Sequence, residues 1–71
     1  MTPDERVFAA LVLQCCHGYE IREVMAICDV PYKRCAYYLA KWSTKGWYDY
    51  GVSLDLGWLT ELGREKLQAM V

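Results

Sequence analysis

The chain has 71 residues, room for one small domain and none for a catalytic domain beside a substrate domain. Its apolar content is 55%, with 14% aromatic side chains, and this offsets the poor core-to-surface ratio of so short a chain. A formal net charge of −1 excludes a protein that holds polyanions by bulk charge.

The longest apolar run, residues 7–13, is about a third of the roughly 20 residues that a membrane-spanning helix requires. The N-terminus lacks the basic segment and small-residue cleavage site of a secretion signal, and no lipidation motif is present. The expected location is the cytoplasm, where Cys15, Cys16, Cys28 and Cys35 stay as thiols.

Thr2 can cap a first helix, Pro3 fits its first position and Glu5 stands at the capping-box position. Val7, Phe8, Leu11, Val12 and Cys15 recur at helical spacing, which predicts one buried stripe to about Cys16 and a stop at Gly18. A second helix, about 20–28, places Ile21, Val24, Met25 and Cys28 on one face. Asp29 and Val30 form a tight connection, and Pro31 opens the first turn of a third helix that runs to Thr44 or Lys45 before Gly46 ends it. There Cys35, Tyr38, Leu39 and Trp42 share the inner face, while Lys33, Tyr37, Ala40, Lys41 and Thr44 lie opposite, with Arg34 at the flank. Beyond Gly46 the β-formers Trp47, Tyr48 and Tyr50, a turn at 51–53 and a returning strand at 54–59 predict a hairpin. Thr60 caps a closing helix in which Leu62, Leu67 and Met70 can pack back.

Residues 23–48, with Lys45-Gly46 before the first strand, resemble the helix-turn-helix of bacterial winged-helix regulators of the MarR/PadR type. Residues 59–67, Leu59-Thr60-Glu61-Leu62-Gly63-Arg64 at their head, are similar to the Leu-Thr-x-x-Gly-Arg motif that leaves the second wing strand in that family. Asp29 stands where the family usually has Gly, and Cys35 where it has a larger aliphatic residue. The resemblance implies a mainly α winged helix-turn-helix: three helices, a two-stranded wing and a short C-terminal helix. It forms a single domain over 1–71, with the helix-turn-helix at about 20–45 and the wing at about 47–59.

It also implies double-stranded DNA as the partner, with the third helix in the major groove. From 31 to 45 the cations Lys33, Arg34, Lys41 and Lys45 stand without an acid, and Arg22 on the second helix adds a phosphate contact. The expected interface is Arg22, Tyr32, Lys33, Arg34, Tyr37, Lys41 and Lys45, in a regulatory repressor or accessory factor whose size resembles phage or plasmid proteins. Two copies, as a homodimer, would combine two weak half-sites. The wing speaks for another reading, because residues 46–61 hold Asp49, Asp55 and Glu61 and no Lys or Arg. If Leu59 points inward, alternation sends Leu54, Leu56 and Trp58 to an outer apolar face suited to a protein partner. A bulge would instead return Trp58 to the core.

No cofactor, metal or catalysis is expected. Adjacent cysteines on a helix point about 100° apart, and no C-x-x-C knuckle exists, so the cysteines read as buried thiols rather than zinc ligands. His17 near a helix C-terminus reads as a cation at the negative dipole end, with no partner at a triad spacing.

Overall fold

The computed structural model describes residues 1–15 and 20–71. Helix α1 is Pro3–Gln14, α2 is Ile21–Ile27 and α3 is Tyr32–Thr44. The hairpin pairs β1, Tyr48–Asp49, antiparallel with β2, Trp58–Leu59, through a single 3-10 turn at Leu54–Leu56, and α4, Glu61–Met70, closes the chain. This is the expected mainly α layout of three helices, a two-stranded hairpin and a C-terminal helix, consistent with a winged helix. The predicted stop at Gly18, and the readings of Cys16 and His17, lie outside the described residues.

Thr2 caps α1 as its position suggests, its hydroxyl accepting from the Glu5 N–H at 3.2 Å, with Pro3 in the first turn. The phase of the helix differs from the predicted stripe. Glu5, Phe8, Ala9 and Val12 are buried, whereas Val7 is half exposed. Glu5 therefore turns inward and does not close a capping box. Its carboxylate accepts from the Trp42 indole N–H at 2.9 Å, and the Trp42 ring stacks on Phe8 at 5.4 Å.

Helix α2 buries Ile21, Val24 and Met25, and α3 buries Cys35, Tyr38, Leu39 and Trp42, the two faces that the spacing predicts. Pro31 sits one position earlier than expected. With ψ at 143° it is extended and serves as the cap residue, its carbonyl accepting from the Arg34 and Cys35 amides. Asp29 needs no unusual backbone, since no described non-glycine residue has positive φ.

Gly46 ends α3 at φ 78°, a left-handed conformation that favours a residue without Cβ. The chain can then turn so that the Trp47 carbonyl accepts from the Thr60 amide at 2.9 Å, and the Thr60 hydroxyl donates to the Gly46 carbonyl at 2.7 Å. The same hydroxyl caps α4 by accepting from the Gly63 N–H at 3.0 Å. The Lys-Gly and Leu-Thr-x-x-Gly segments are thus two halves of one joint. Helix α4 buries Gly63 and Leu67, whereas the expected Leu62 and Met70 stay 46% and 40% exposed.

The wing also departs from strict alternation. Tyr48 is buried, and its hydroxyl donates to the Leu54 carbonyl at 2.6 Å while accepting from the Gly57 N–H at 2.9 Å. These bonds curl residues 54–56 into a 3-10 turn, so the returning strand is two residues rather than six.

Candidate nucleic-acid interface

The exposed side of α3 is set by its buried side. With Cys35, Tyr38, Leu39 and Trp42 inward, helical spacing turns Lys33, Tyr37, Ala40 and Thr44 outward, and all four are exposed. Tyr37, Ala40, Lys41, Thr44 and Lys45 line a shallow groove of about 360 Å³. Tyr37 is braced at one edge, its ring meeting Tyr38 edge-on at 5.7 Å. The Lys45 ammonium lies 4.9 Å from the centre of the Trp47 ring.

The structure sorts the seven predicted interface residues into three groups. Tyr37, Lys41 and Lys45 come together at the groove, and Lys33 is exposed on the same helix with no ion pair among the described residues. Arg34 is drawn to α1, where it pairs with Asp4. Arg22 and Tyr32 meet on another side, both donating to Asp55 Oδ2 at 3.1 Å.

Lys41 belongs to two environments. Its ammonium donates to both Glu5 oxygens, at 2.9 and 3.2 Å, while its side chain lines the groove. Burial of Glu5 opposes ionisation, but hydrogen bonds from Trp42 and Lys41, together with the lysine charge, outweigh it and hold the carboxyl below its usual value. Sequence reasoning missed Glu5 as the holder of Lys41. The available signal was a carboxylate spaced i, i+3, i+7 with Phe8 and Val12 on an apolar helix.

Asp55 ties the hairpin to α2 and α3. It accepts from Ser53 Oγ at 2.5 Å as well as from Arg22 and Tyr32. The hydrogen bonds from Ser53 and Arg22, then Tyr32, bring its carboxyl from 3.8 to about 2 against the opposing effect of burial. A group whose pKa is lowered on folding stabilises above its unfolded value and loses that contribution as pH falls through the folded one. Stability is therefore expected to decline between about pH 4 and pH 2, and Asp55→Asn to flatten part of that decline in urea unfolding followed against pH. A variant with the same acid limb as the parent would show that Asp55 is not coupled to folding.

The predicted outer face of Leu54, Leu56 and Trp58 loses Leu54. The 3-10 turn rotates Leu54 inward, where it packs on the core and lines a cleft of about 130 Å³ with Met25, Tyr32, Ala36, Ser53 and Asp55. Leu56 and Trp58 remain outside at 38% and 53% exposure, and no bulge returns Trp58 to the core. Trp47, by contrast, packs partly against it.

Cys15, Cys28 and Cys35 are free thiols, and burial, then the neighbouring Cys28, pushes Cys35 up to about 12. Among the described residues no group of three or more His, Cys, Asp or Glu could hold a metal ion, and no helix is long and apolar enough to cross a membrane. Comparison with protein-family models, curated proteins and solved structures gives no match to this chain.

Proposed function

We propose that this is a small DNA-binding regulatory protein of winged helix-turn-helix type, of the kind its MarR/PadR-like segments imply, which lays the outer face of α3 in the major groove. The observation that carries this reading is the acid-free groove on α3, where Tyr37, Ala40 and Thr44 lie exposed beside Lys41 and Lys45, with Lys33 one turn away. The pairing at Asp55 removes part of the objection raised by an acidic wing, since one of its three acids is already matched by Arg22. Few cations remain for phosphate, so one copy binds weakly and two copies on adjacent half-sites bind usefully.

Arg34 and Lys41 carry structural pairs, so their removal confuses folding with binding. Lys33 and Lys45 are the informative pair. Binding to a labelled random duplex pool should fall with a log–log salt slope of about −2, as expected for two phosphate contacts, those of Lys33 and Lys45. The Lys33→Ala/Lys45→Ala variant should keep its fold and lose most of the retention. No retention of the parent at low salt overturns the reading.

A second reading has one observation in its favour, the exposure of both Trp58 and Leu56 on the wing, since exposed aromatic residues are a feature of protein-docking surfaces. It predicts that Trp58→Ala abolishes partner binding while the lysine variant does not.

A further inference from the structure

We infer that α3 recognises the 5-methyl group of thymine, through an apolar spot formed by Ala40, the Thr44 methyl and the Tyr37 ring. The inference rests on the DNA-binding reading and specifies which base edge that surface prefers.

The chemistry begins at Thr44. Its hydroxyl donates to the Ala40 carbonyl at 3.1 Å, one turn back along the helix. The polar end of the side chain is committed to the backbone, and what it offers to a visiting surface is the methyl. Ala40, four residues earlier, adds a second exposed methyl on the same stripe, and Tyr37, three residues before that, adds a ring fixed against Tyr38. Of the residues that line the groove, Tyr37, Ala40 and Thr44 supply the apolar surface, and Lys41 and Lys45 supply the cations.

The two arginines that would favour guanine are drawn elsewhere, while Lys33 on α3 has no ion pair among the described residues. A guanidinium reads guanine by donating twice to O6 and N7, yet Arg34 is paired with Asp4 and Arg22 with Asp55. The Lys41 ammonium has two of its three protons directed at Glu5. Among the four bases, thymine alone presents an apolar group in the major groove, and small side chains such as Ala and Thr are the ones that meet it. An apolar spot in a groove lined also by lysines matches a thymine methyl flanked by phosphates.

Duplexes selected from a random pool should be enriched in A·T pairs at the central positions. Replacing thymine by uracil there removes the methyl and leaves base pairing intact. Each contacted methyl lost should weaken binding about three- to fivefold. Thr44→Ser, which removes the protein methyl, should reduce the thymine-to-uracil ratio, and Thr44→Val should preserve it. Because the ratio compares two duplexes with the same protein sample, partial unfolding of a variant cancels. Equal binding of thymine and uracil duplexes, with salt-dependent retention intact, overturns the methyl inference and leaves the DNA-binding proposal standing. Absence of retention of any duplex at low salt removes both.

Discussion

Lys41→Met is expected to destabilise the domain by about 3 kcal/mol, the low end of the range for removing one partner of a buried ion pair. The cause is the asymmetry of the pair: the Lys41 side chain is 38% exposed, whereas Glu5 is 2% exposed. Without the ammonium, the carboxylate stays in the core with the Trp42 N–H as its remaining partner among the described residues. Total stability for this length is roughly 4–10 kcal/mol, so the loss is a large share of it. Glu5→Gln should cost less, about 1–2 kcal/mol, because the amide oxygen still accepts from Trp42 and Lys41 can turn to water.

Parent and variant also differ in the sign of their pH dependence. In the parent, Glu5 lies below its usual 4.5, so its contribution is complete above that value and is lost as pH falls through the folded one. In Lys41→Met, burial, the largest single influence on Glu5, is opposed only by the Trp42 hydrogen bond and the N-terminal charge. The folded carboxyl is then expected to rise above its unfolded value, and the variant to gain stability on acidification. Urea midpoints at pH 7 and pH 5 decide the matter: the parent should be nearly flat over this interval and the variant should move upward. A variant midpoint that falls toward pH 5 would show that Lys41 does not hold the Glu5 charge.

Gly63→Ala should be at least as damaging, costing about 3 kcal/mol or more and lowering Tm by more than about 10 °C. A Cβ at Gly63 would overlap the Trp47 carbonyl and lie 2.7 Å from the Trp47 Cα. Backbone cannot swing aside as a side chain can, so relief requires moving α4 away from the hairpin. That movement breaks the Thr60 links to Gly46 and Trp47 and uncovers Leu67. Gly51→Ala is the control, since nothing lies within 4 Å of a Cβ there. Thermal unfolding of the two variants side by side should leave Gly51→Ala close to the parent. Similar melting of the two would mean that the close approach of α4 to Trp47 is not a constraint.

How much of each segment is legible in the sequence depends on where its information lies. Helix α3 is legible because its apolar residues occupy one phase of the wheel and its cations another, so one rotation satisfies both. Helix α1 is not, because residues 7–13 are apolar all round and several rotations look alike. Its phase is fixed instead by Glu5 finding Trp42, 37 positions away, a contact that no local pattern announces. The candidate site is subject to the same limit. Helical spacing alone places Tyr37, Lys41 and Lys45 together. The diversion of Arg34, Arg22 and Lys41 to acids 30 to 36 positions away depends on tertiary packing. In the wing, alternation assumes a six-residue strand, and the Tyr48 hydroxyl curls half of it into a turn.

That hydroxyl has a consequence for how the molecule breathes. Two-residue strands supply little ladder hydrogen bonding, and such a hairpin in isolation would fray within its own loop. Here, peeling residues 54–57 away breaks both bonds of the Tyr48 hydroxyl at once and uncovers a buried ring. The loop therefore opens as one cooperative piece with the body of the domain. The Gly57 amide, bonded to a side chain rather than to a strand, should exchange with solvent deuterium as slowly as amides of the helical core.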